Sequence, residues 1–157
     1  MKPTIEIPDK NTQSSAILLN ALLADEYVLL TKTRNAHWNI QGKNFSELHK
    51  FFEEQYRELD IIVDNVAERV RSLGHFSSGS LNDFLTLTRL LEQKHDFSNP
   101  TQIIETLLHD HQDIIRILRK EINKISDTYK DAGTCDLLTG WLKQHEKMAW
   151  MLRAHIS

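Results

Sequence analysis

The chain has 157 residues, enough for one domain of ordinary size and too few for two. Apolar residues make up 40% and charged residues 26%, and only 5 glycines and 3 prolines are available for turns, which disfavours a many-stranded fold. The balance of 19 Lys+Arg against 22 Asp+Glu gives −3, not the basic excess of a nucleic-acid coat, and a lone Cys135 excludes disulfide frameworks and thiolate zinc sites.

Hydrophobic periodicity is helical almost throughout. A tail over residues 1–13 should precede a single domain over 14–157, its first helix capped by Ser14 or Ser15 and carrying Leu18, Leu19, Leu22, Leu29 and Leu30 at a 3–4 spacing. The longest charge-free stretch, Asn11 to Ala24, is too short to cross a bilayer, which takes roughly 20 residues. The opening MKPTIEIPDK has no apolar run of the secretory kind, so a cytoplasmic protein without a membrane segment is expected. The first helix should end near Asn39, with Gly42 supplying the turn. Asn44 and Glu47 read as a capping box for a second helix that stops at Leu73–Gly74, a rod of about 43 Å. A long connection from His75 to Asn99 should hold a short helix near Leu81–Thr88, capped by Ser80 with Asp83. Asn99–Pro100 opens a third long helix, Asp131–Gly133 breaks it, and a fourth runs from about Thr134 to Ala154. The order long, long, crossover, long, long is all-α: a ferritin-like four-helix bundle with a short extra helix in its crossover.

The second helix carries the chemistry. With His49 as origin, Glu53 lies about 40° round the helix, Asp60 about 20°, Asp64 about 60° and Glu68 about 100°. These carboxylates border the apolar stripe of Leu48, Phe52, Leu59, Val63, Val66 and Val70. A row of carboxylates ordinarily marks a solvated face. Here basic partners four residues on are scarce, Arg57 after Glu53 being the exception, and stacked like charges call for a cation. His37 lies just across the turn from His49. From Glu53 to Asp64 is eleven residues, about 16 Å along the axis, whereas metal–ligand bonds are about 2 Å. One chain cannot bring both groups to one ion, but a two-fold copy of the same helix can. The spacing therefore suggests a metal centre between subunits, with a mixed nitrogen and carboxylate shell suited to Fe(II).

The segments Ala36-His-Trp-Asn-Ile-Gln-Gly42, Phe45-Ser-Glu-Leu-His49 and Asp64-Asn-Val-Ala-Glu-Arg69, followed by Leu73-Gly74, strongly resemble the Dps family of mini-ferritins. The likeness is close over the first two helices and looser through the short helix to Thr134–Thr139. It implies a hollow homo-dodecamer with ferroxidase sites at two-fold interfaces, oxidising Fe(II) with hydrogen peroxide or dioxygen and storing ferric mineral. By position, His37 and His49 would come from one subunit and Asp64 and Glu68 from its two-fold mate. Glu53 stands where many members carry Asp. Trp38 matches the family's tryptophan beside the iron, as an electron sink or as packing. Asp60 is a nearby carboxylate. Asp127, Asp131 and Asp136 fall where acidic residues line the family's iron-entry pores, Asp131 and Asp136 being the better candidates; the bland alternative is helix-end charges and a cap. An intrasubunit di-iron site would need two Glu-x-x-His sets, and only Glu92-Gln-Lys-His95 occurs. His109, His111 and His145 read as surface or packing histidines. Lys2 and Lys10 are cancelled by Glu6 and Asp9, and twelve chains at −3 each carry −36, so DNA binding should be weak or absent. The alternative function is a nucleoid DNA-protecting protein with iron oxidation secondary. Because ligating imidazoles must be deprotonated, iron oxidation should slow as pH falls through the histidine range.

Overall fold

The computed structural model describes residues 3–92 and 97–157. Two antiparallel hairpins of long helices build the bundle. The first joins α1 (Asp9–Asn39) to α2 (Phe45–Ser72) through a turn in which Gly42 adopts φ 118°. The second joins α4 (Pro100–Lys124) to α5 (Ala132–Ala154). Between the hairpins, α3 (Leu81–Leu87) packs on α1, with Phe84 stacked on Tyr27 at 4.3 Å between ring centroids.

The core is what the 3–4 spacing dictates. Leu19, Leu22, Leu29 and Leu30 of α1 meet Phe52, Leu59, Ile62 and Val66 of α2, Ile103, Leu107, Ile114 and Leu118 of α4, and Leu138, Trp141 and Met148 of α5. Burying each such large side chain stabilises the fold by roughly 1.5–3 kcal/mol. On length and composition alone α1 would span a membrane, but 67% of its apolar window is buried inside the bundle, so that stripe is occupied by the core.

Several helix ends follow the sequence reading and others depart from it. Ser80 and Asp83 form the expected capping box, with the Asp83 N–H donating to Ser80 Oγ at 3.1 Å. Asn99 accepts from the Gln102 N–H at 3.2 Å, with Pro100 in the first turn. Asn44, in contrast, makes no side-chain cap; the Gly42 turn substitutes for it, its carbonyl accepting from the Phe45 N–H at 3.1 Å. The first helix begins at Asp9 and not at Ser14 or Ser15, so residues 9–13 are helix and not tail. The cause is a tertiary tie: the Thr12 hydroxyl donates to the Asp9 carbonyl at 3.0 Å and lies 3.1 Å from His75 Nε2, at the foot of α2. The break before α5 comes earlier than Asp131–Gly133. A single π-helical turn, Ile125–Tyr129, ends at Lys130 with φ 56°, and Asp131 then caps α5.

A polar seam joins α1 to the crossover and to the second hairpin. Asp25 is enclosed by Arg89, which donates to it from Nε at 2.8 Å and from a terminal nitrogen at 2.6 Å. Lys32 pairs with Asp110 at 2.5 Å and donates to the Leu91 carbonyl. Glu26, His145 and His111 form a fully buried string, with His145 Nε2 at 3.0 Å from Glu26 and the two Nδ1 atoms 2.9 Å apart.

Candidate metal centre

The α1–α2 turn places His37 directly against His49. Each ring nitrogen Nδ1 lies 2.7 Å from the other residue's backbone carbonyl. A carbonyl only accepts, so both Nδ1 atoms carry the proton and both Nε2 atoms keep a lone pair. Hydrogen bonds at the far nitrogen are the means by which ligating histidines are oriented. The rings stack with centroids 3.8 Å apart. Phe45 covers His49 at 5.2 Å, and Tyr56 meets His37 edge-on at 5.2 Å. The pair is thus locked in place before any ion arrives.

Glu53 lies one turn beyond His49, half-buried, and pairs with Arg57. The Glu53 carboxylate, followed by the Tyr56 hydroxyl, holds the Arg57 guanidinium above its ordinary value. Asp60 is exposed and meets Arg34 at 3.3 Å. Asp64 and Glu68 are exposed one turn apart. Among the described residues, no three His, Cys, Asp or Glu side chains of this chain converge to hold a metal. The chain therefore brings His37 and His49 together, sets Glu53 a turn away, and leaves Asp64 and Glu68 as a separate pair on the same rod. The donor set, imidazole nitrogen with carboxylate oxygen, fits iron as a substrate.

Trp38 is 68% exposed. Asp127 and Asp136 are exposed at the α4–α5 end. Asp131 is not an exposed pore residue. It is fully buried, accepts from the Thr134 N–H at 3.0 Å and hydroxyl at 2.6 Å, and pairs with Arg69 at 2.7 Å. Burial alone would raise its carboxyl, but the Thr134 bonds and the Arg69 guanidinium reverse this and hold it below the usual carboxylate range. His109 is exposed beside Asp113 at 3.2 Å. His111 and His145 are core residues of the buried string; burial first, then His145, pushes His111 well below the usual imidazole value. In the Glu92–His95 set, Glu92 is exposed and the other three residues lie outside the described residues. Sequence reasoning passed over Tyr56, although its seven-residue spacing from His49 puts it about 20° from that histidine on the ligand stripe.

Residues 17–157 match the family model of the ferritin-like domain, so the bundle and its chemistry-bearing helix are those of a ferritin-like protein. A low temperature-induced protein of Nostoc sp. (strain PCC 7120) is 42% identical over 152 residues, covering 97% of this chain and 85% of that one. DNA protection during starvation protein 2 of Bacillus anthracis is 33% identical over 140 residues, covering 89% of this chain and 94% of the relative. The crystal structure of the Vibrio cholerae Dps protein, described as a member of a broad superfamily of ferritin-like diiron-carboxylate proteins, superposes with a TM-score of 0.92 at 30% identity, covering 99% of this chain and 97% of that one. The chain belongs to the Dps family. Membership supports iron storage or DNA protection as the general field in which it acts.

Proposed function

We propose that this protein is a ferroxidase and iron store, a subunit of a hollow dodecamer that oxidises Fe(II) with hydrogen peroxide and keeps the ferric product inside. Removing both reagents protects the cell from hydroxyl radical. The reading rests above all on the histidine pair: two imidazoles locked by reciprocal 2.7 Å bonds with both Nε2 lone pairs left for a ligand. Glu53 adds an oxygen beside them. Asp64 and Glu68 lie too far along the same helix to join them, so in this reading a two-fold mate supplies that half. His37, His49 and Glu53 of one chain, with Asp64 and Glu68 of the next, make each site. Carboxylate oxygens favour Fe(III) over Fe(II), which helps electrons leave for the oxidant. Asp127 and Asp136, both exposed, are the acidic residues left to line an entry path; Asp131 is occupied as a cap.

The test is an anaerobic Fe(II) titration followed by peroxide, on shells sized by light scattering. Replacing His37 and His49 together by Ala should leave the shell intact and slow iron oxidation roughly 10- to 100-fold or more, at least the cost of losing an orienting partner of a metal ligand. Unchanged oxidation would overturn the reading.

A second reading, DNA protection, is favoured by the names of relatives such as the Bacillus anthracis protein. Charge opposes it. The net charge is −3, and Lys10 is fixed in the first turn of α1 instead of a free tail. Duplex DNA retarded in a gel at neutral pH and physiological salt would favour the second reading.

A further inference from the structure

The chain holds 3 methionines, and the two beyond Met1 stand one turn apart on α5. With Met148 as origin, Met151 lies about 60° round the helix and His155 about 20° round it in the same sense, so the three share a face. Met148 is buried and Met151 half-buried, and both line a pocket of about 430 Å³ between α2 and α5. Phe51 lines the same pocket, and its ring packs 4.3 Å from the His155 ring, so the histidine stands at the pocket's edge. His155 Nδ1 lies 2.9 Å from the Met151 carbonyl. A carbonyl only accepts, so Nδ1 carries the proton and Nε2 keeps a lone pair. Glu54 and Glu58 against Lys147 give the pocket a net negative lining. The last carbonyls of α5 add the negative end of its dipole. Arg153 points to the far side of the helix, about 160° from His155.

A methionine in a helix ordinarily fills a gap in the core. Packing accounts for Met148, but not for a second thioether and an oriented imidazole following it on the same face. We propose that Met148, Met151 and His155 form a binding site for a soft monovalent cation, Cu(I), at the C-terminal end of α5. Thioether sulfur selects Cu(I) over the harder divalent ions, and imidazole also suits copper. The flexible methionine side chains can close on an ion that the fixed histidine has met first. Phe51 faces about 160° away from His49 around α2, so this site and the histidine pair lie on opposite sides of that helix. Binding alone is required, and no electron moves.

The experiment titrates the assembled Cys135→Ser protein with Cu(I) under argon, against a chromophoric Cu(I) chelator. That substitution removes the one thiol, so Met1, Met148 and Met151 supply the only sulfur. X-ray absorption at the copper edge then reads the donor atoms at one Cu(I) per chain. Thioether sulfur should appear beside imidazole nitrogen. In the same background, Met148→Leu/Met151→Leu, a swap that keeps core volume, should lose the sulfur signal. It should also weaken Cu(I) binding by at least the roughly 10- to 100-fold that loss of a mere orienting partner costs. His155→Gln should weaken binding and keep the sulfur. Iron oxidation should be the same in all three proteins, because none alters His37, His49 or the carboxylates of α2. A copper spectrum of nitrogen and oxygen alone in the Cys135→Ser protein overturns the proposal. So does sulfur, or an unchanged affinity, that persists in the leucine variant. Either result leaves the ferroxidase reading standing.

Discussion

Asp131 shows how one residue can be read two ways from sequence. An aspartate just before a helix is an acidic pore candidate and also a cap, and only its surroundings choose. The surroundings are Thr134, one turn in, and Arg69, which reaches across from α2. Gly133 leaves room for that guanidinium, since a Cβ there would come within 2.9 Å of its terminal nitrogen. Asp131→Ala should cost about 2–3 kcal/mol, combining a lost cap with a charged hydrogen bond left half-made. Asp131→Asn keeps the cap, loses the charge, and should cost less. The folded carboxyl sits below its ordinary value, so its contribution is present above the ordinary carboxylate range and fades as pH falls beneath it. Urea midpoints of the three proteins at neutral pH and near pH 3 would show wild type converging on Asp131→Asn in acid. Tyr56 makes the opposite point. Its place on the ligand stripe was legible from spacing, but a search for metal donors does not stop at a phenol.

At the scale of helices, the apolar pattern located every long element, because each buries a stripe of Leu and Ile that recurs with the helical period. What the pattern could not reveal is the polar seam. Asp25, Glu26 and Lys32 interrupt the leucines of α1, and sequence alone gives them no partners; those partners come from Arg89, Asp110 and His145, between 64 and 119 residues away. The same long-range pairing explains the early start of α1, fixed by Thr12 against His75. The seam should make stability depend on pH. His111 is held neutral by burial and by His145, while an unfolded chain protonates its histidines near pH 6.5. The unfolded state therefore binds the extra proton first. Stability is unaffected above about pH 6.5 and falls below it, by up to roughly 1.4 kcal/mol per pH unit per chain until the folded value is reached. Glu26 and His145 along the string, with the Lys32–Asp110 pair on the same seam, are the titratable groups that a protonated His111 would meet. Denaturant midpoints between pH 7 and 5.5 should fall less steeply in His111→Gln than in wild type; parallel slopes would show that His111 is not the group responsible.

At the scale of the whole molecule, the fold was legible because connection lengths alone fix it: two short turns and one long crossover admit few arrangements of four long rods. The site was legible only as two fragments. The helix holding His49 and Glu53 also holds Asp64 and Glu68, and a rigid rod cannot fold back on itself, so in the proposed reading another copy completes each site. This can be tested without any view of the assembly. His37→Ala/His49→Ala chains keep the carboxylates; Asp64→Ala/Glu68→Ala chains keep the histidines. Each variant alone should oxidise iron roughly 10- to 100-fold or more slowly than wild type. If a two-fold mate completes each site, a mixed pair has one intact site and one that keeps only Glu53. Random co-assembly at equal ratio makes half of all pairs mixed, so about a quarter of wild-type iron oxidation should return. Sites built within one chain would return none, because every chain in the mixture lacks one half. Rapid Fe(II) oxidation by co-expressed variants, compared with the same two proteins assembled separately and then combined, decides between these geometries.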